Sequence, residues 1–173
     1  MKYQLNQAIE ILSNTPKSLS ALLGGLGSYW TEPNEGPNTW SPFDVMGHLI
    51  HGEKTDWIDR IEITLGLRDT KTFTPFDRFA QEKDSKGKSM ADLLKEFEDR
   101  RTENIYKLKS YNISEEDLDK TAQHPSLGEV SLRNLLSTWV AHDLNHIAQI
   151  ARVMAYQYKE EAGPWNAYLR ILQ

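Results

Sequence analysis

The chain of 173 residues contains no cysteine. That excludes disulfides, thiolate metal ligands and a cysteine nucleophile, and it fits a reducing compartment, so a cytoplasmic protein is expected. Basic runs are missing as well, and the net charge is −5. A surface dedicated to nucleic acid is therefore not expected. No stretch approaches the ~20 consecutive apolar residues of a membrane span, and the N-terminus lacks an apolar signal-peptide core. The H-E-x-x-H helix of zinc proteases, the G-x-S-x-G nucleophile elbow and the P-loop are all absent. No segment alternates apolar and polar residues in a way that argues for a strand.

What is present reads as helix. With 39% apolar and 26% charged residues, the chain can offset its conformational entropy with one core, and residues 1–173 are expected to form a single domain. From about Tyr3 to Leu23, Leu5, Ile9, Leu12, Leu19, Leu22 and Leu23 form a helical stripe. Thr15-Pro16 reads as an N-cap and first-turn proline that restart the helix there. Trp40-Ser41-Pro42-Phe43-Asp44 opens a second helix, expected to run to Leu65 and to end at Gly66. Arg68 to Lys88 is polar and irregular, and a loop of that length is expected to be functional or mobile. Ser89 with Asp92 starts a third helix reaching about Tyr111, and Ser114 with Asp117 a short turn. His124-Pro125-Ser126-Leu127-Gly128-Glu129 reads as a turn-rich connector. Ser131 starts the last helix, continuing to about Glu161. Trp165, Tyr168, Leu169 and Ile171 suggest a tail that folds back on the body. The sum is an all-α helical bundle.

Two helices carry four of the five histidines. His142 and His146, at i and i+4, share one face at the edge of the last helix's apolar stripe. Buried imidazoles cost free energy unless a hydrogen bond or a metal satisfies them. His48 and His51 lie on the second helix, and periodicity does not choose between them. His48 shares a face with Gly52, whose missing side chain could leave a cavity. Three imidazoles with an open fourth position suit Zn²⁺, Ni²⁺ or Fe²⁺. His124, before Pro125, reads as a turn residue. Asp143, about a hundred degrees round the helix from His142, reads as a surface or supporting residue. Glu53 and Asp56 could orient an imidazole or act as a base, but an ordinary solvated face explains both. Trp57 and Trp139 read as core.

The segments Trp40-Ser41-Pro42-Phe43-Asp44-Val45-Met46-Gly47-His48-Leu49, His124-Pro125-Ser126-Leu127-Gly128-Glu129-Val130-Ser131-Leu132 and Trp139-Val140-Ala141-His142-Asp143-Leu144-Asn145-His146 resemble, in order and spacing, the DinB/YfiT-like superfamily of metal-binding four-helix bundles. The resemblance covers about residues 3 to 155. It implies an up-down-down-up bundle, often a homodimer. It also implies a divalent metal, Zn²⁺ or Ni²⁺, on His48, His142 and His146, and so selects His48 over His51. Some members are thiol-dependent S-transferases that use a low-molecular-weight thiol, and others are described as metal-dependent hydrolases. A small-molecule substrate and a possible thiol cosubstrate follow as expectations, as does a role for the Arg68–Lys88 loop in closing the pocket or binding the cosubstrate. The alternative is a non-catalytic metal-binding or structural bundle with a stress-related role.

Overall fold

Serine starts three of the long helices. The side chains of Ser41, Ser89 and Ser131 each accept the backbone N–H three residues on, and Asp44, Asp92 and Asn134 reach back to the serine N–H. These capping boxes satisfy donors that a helix start leaves unpaired. The computed structural model describes residues 3–173. Its helices are α1 (Leu5–Leu23), α2 (Ser28–Thr31), α3 (Pro42–Thr55), α4 (Trp57–Leu65), α5 (Ala80–Asp84), α6 (Met90–Ser110) and α7 (Leu132–Tyr156). Four long segments make the bundle: α1, α3 followed by α4, α6, and α7. Helix α1 packs on α6 and α7, and α3 packs on the same two. The histidine-bearing helices α3 and α7 are thus neighbours.

Two apolar clusters fill the bundle. One gathers Trp57, Ile61, Leu108, Leu136 and Trp139, and the other Leu19, Val45, Leu93, Phe97 and Ile150. A charged layer bridges them, because the Arg101 guanidinium lies 4.9 Å from the Phe97 ring and 5.1 Å from that of Trp139.

Four expectations need correction. Helix α1 does not restart at Pro16 but runs through it. The missing proline N–H leaves the Leu12 carbonyl, four residues back, without its helical donor. Arg101 supplies the replacement, donating from Nη1 to Leu12 O at 2.9 Å. The second helix breaks at Asp56, whose φ of −118° and ψ of −66° depart from ideal helix. Bonds from Asp56 N–H to Gly52 O and from Arg60 N–H to Asp56 O still carry the chain across. The connector before α7 is a β-hairpin, not a simple turn. Strand β1 (Thr121–His124) pairs antiparallel with β2 (Gly128–Ser131), and Thr72 bridges to Gln123 on the outer edge of β1. Finally, α7 ends at Tyr156, and in the tail it is Leu172 that is buried. Trp165 and Tyr168 stay exposed.

Candidate metal centre

His48 comes from the middle of α3, and His142 and His146 from successive turns of α7. Their Nε2 atoms converge: His142 Nε2 lies 3.1 Å from both His48 Nε2 and His146 Nε2. Among the described residues this is the group of three or more His, Asp or Glu side chains placed to hold a metal, with ligand atoms all within 4.8 Å of one another. Two nitrogens held by one tetrahedral Zn²⁺ at ~2.0–2.1 Å sit roughly 3.3 Å apart, so the spacing fits the ion. His146 is oriented by Gln149: its Nδ1 N–H donates to Oε1 at 2.8 Å, leaving Nε2 as the lone-pair nitrogen. The Nδ1 atoms of His48 and His142 have no protein partner. Ring packing holds these two instead. Trp40 lies 4.8 Å from the His48 ring, and Phe76 and Trp57 meet His48 and His142 edge-on. Burial, reinforced by the neighbouring imidazoles, pushes the pKa values of His48 and His142 down to about 3. Burial also lowers that of His146. All three are therefore neutral at physiological pH, the form that binds a metal.

The other histidines stand apart from this group. His51 is buried against Phe76, with Asp84 3.9 Å from its Nδ1. His124 closes the hairpin turn, its Nδ1 accepting the N–H groups of Ser126 and Leu127. The Arg68–Lys88 segment lies over the site. It brings Phe76 against His48 and His51, and buries Phe73.

Asp143 and Glu53, expected on solvated or supporting faces, are buried in the core. Arg101 donates to both Asp143 oxygens at 2.6 and 2.9 Å and to Glu53 Oε1 at 2.8 Å. Asn104 and Trp139 also donate to the Glu53 carboxylate, at 2.9 and 3.3 Å. Burial disfavours the Arg101 charge, but the two carboxylates more than offset it and hold the guanidinium pKa above its ordinary value. Asp56 is also buried rather than solvated, paired to Arg60 at 2.6 Å. Sequence reasoning missed Arg101, although it interrupts the α6 stripe between Phe97 and Leu108.

A cavity of about 240 Å³ opens beside His48 and His142, walled mainly by Trp57, Phe73, Leu127, Val130 and Leu135. A more polar hollow of about 670 Å³ lies on the His146 side, lined by Arg78, Glu82, Gln149 and Arg152 among others, with Arg152 paired to Glu35 at 2.7 Å. Fold and site together define a helical bundle with a three-histidine centre between facing helices. The chain belongs to the DinB superfamily, whose family model matches residues 11–150. Among solved structures it is similar to YfiT from Bacillus subtilis, described as a probable metal-dependent hydrolase with an unusual four-helix bundle topology. That likeness has a TM-score of 0.75 at 20% identity and covers 91% of this chain and 93% of the other. At that identity it speaks for the fold. No curated protein matches the chain. Among the described residues, no helix is long and apolar enough to cross a membrane.

Proposed function

We propose that His48, His142 and His146 hold one divalent cation, Zn²⁺ or Ni²⁺, and that the protein is a metal-dependent enzyme acting on a small molecule, in an up-down-down-up bundle as its family implies. The observation that carries this is the convergence of three imidazole nitrogens, two of them on rings that line an apolar cavity. Bound there, the cation would lower the pKa of water or of a low-molecular-weight thiol, supplying a hydrolase or a thiol S-transferase with its nucleophile. Gln149 fixes the tautomer of His146. Trp57, Phe73 and Phe76 exclude bulk water from the His48–His142 side and line the place of an apolar substrate. Asp56 is the carboxylate on that wall, whereas Asp143 is committed to Arg101. The hollow beside His146, lined by both arginines and carboxylates, would suit a polar thiol cosubstrate. No Cys in the chain supplies a thiol of its own.

Elemental analysis of untagged protein tests the reading. One equivalent of Zn or Ni is expected in the wild type, and loss in His48→Ala and in His142→Ala. Ester and amide hydrolysis, and conjugation of electrophiles to added thiols, then separate the two chemistries. Wild-type protein that stays metal-free after incubation with either ion sinks the enzyme reading.

A further inference from the structure

The cavity beside His48 has a charged far end that the metal reading leaves unused. His48, Gly52, Asp56 and Arg60 recur at intervals of four along one helical wall and all line this cavity. From His48 to Asp56 the helix rises roughly 12 Å. Gly52 keeps the span open, because a Cβ there would come 3.3 Å from Trp57 Nε1. At the far end Arg60 Nη2 meets Asp56 Oδ1 at 2.6 Å, with each side chain 11% exposed, and the guanidinium lies 5.1 Å from the Phe73 ring centre. Among the described residues, neither side chain has a hydrogen bond to a third residue. Neither group is among the sealed, unpartnered polar atoms.

A lone buried charge would call for a counter-ion on the ligand. This pair is net neutral, so a carboxylate or an ammonium gains little attraction there and loses its hydration on entering apolar surroundings. What the pair does offer is a donor next to an acceptor. A carboxamide matches it, since its C=O accepts from the guanidinium while its N–H donates to the carboxylate. The volume of about 240 Å³ equals that of about eight waters at ~30 Å³ each, room for a ligand of about ten non-hydrogen atoms.

We propose that this cavity takes an uncharged small molecule with an apolar body and a terminal carboxamide, the carboxamide seated on Asp56 and Arg60 and the body reaching back to His48 and His142. The assignment of the histidine end as the reacting end rests on the function proposed above. The seat for the carboxamide does not.

Ligand-observed NMR on the full chain, Zn²⁺-loaded and after chelation, gives the dissociation constants of phenylacetamide, phenylacetate and phenethylamine. In the chelated protein phenylacetamide is expected to bind about tenfold more tightly than either ion. Its affinity should fall about tenfold in the apolar double variant Asp56→Leu/Arg60→Met, as loss of hydrogen bonds to charged groups implies. Gly52→Ala provides a second variant if that one does not fold, and it should weaken phenylacetamide by narrowing the cavity. Phenylacetamide that fails to bind, binds no better than the ions, or keeps its full affinity in the folded variants overturns the proposal. The metal reading fails separately. Protein that takes up neither Zn²⁺ nor Ni²⁺ yet selects the amide refutes only the function above, and protein that takes up metal but shows no amide selectivity refutes only this inference.

Discussion

Asp56 has a charge state that the fold and the solvent contest. Burial pushes its pKa from 3.8 up to about 6, against the opposing pull of Arg60. Because the folded value lies above the unfolded one, the folded state binds the proton more tightly. The stability that this proton contributes is fully present below the ordinary value of 3.8 and is lost as pH rises through about 6. Urea unfolding of wild type and Asp56→Asn across that window is expected to show the wild-type advantage shrinking as pH rises. An advantage that stays flat would mean that Asp56 titrates as an ordinary surface aspartate, and one that grows would mean that the pull of Arg60 outweighs burial. The pull of Arg60 on the ionised carboxylate is already contained in that folded value, so the slope reports burial and the ion pair together.

Helices α1, α3, α6 and α7 all meet at Arg101, which touches Leu12, Glu53 and Asp143. Removing one member of a buried ionic cluster leaves the others uncompensated, at ~3–5 kcal/mol, so Arg101→Met is expected to lose stability of that order. It also strands the Leu12 carbonyl, which Pro16 cannot serve. Pro16→Ala restores a backbone N–H at that point and should therefore gain about 1 kcal/mol more in the Arg101→Met background than in the wild type. A double-mutant cycle of unfolding free energies measures this coupling, and additive effects would show that Arg101 is not the substitute donor. Part of the layer was legible in the sequence. Leu136, Trp139, Asp143, His146 and Ile150 step by three and four, so Asp143 stands at the centre of the α7 stripe and His142 at its edge. Measured from His142, the same aspartate reads as turned away. Glu53 likewise falls in line with Leu49, Ile50 and Trp57. The carboxylates' partner was not legible, because a pairing between helices depends on how they cross, and spacing within one helix carries no record of that.

At the scale of the molecule, local signals had told most and non-local ones least. The capping boxes at Ser41, Ser89 and Ser131 are written within four residues, and the structure has each of them. The Thr121–Ser131 hairpin is too short and too polar to announce itself, and its first strand is completed by Thr72, far away in the chain. The histidines belong to both kinds. The His142–His146 pair is local, whereas its meeting with His48 joins α7 to α3, the same two helices that Arg101 ties through Asp143 and Glu53. A cation on the three histidines would be a second cross-link between those helices, with no counterpart in the unfolded chain. Free Zn²⁺ at a hundred times its dissociation constant should then raise the unfolding free energy by about 2.7 kcal/mol. Thermal unfolding with Zn²⁺ and with chelator checks this in wild type, His142→Ala and Arg101→Met. The zinc-dependent rise should vanish in His142→Ala, which loses a ligand but keeps the ionic layer. It should persist at saturating zinc in folded Arg101→Met, which keeps the ligands but loses the layer. An equal rise in His142→Ala would place the ion elsewhere on the chain, because the His48 and His146 that remain would hold it far more weakly than three imidazoles do.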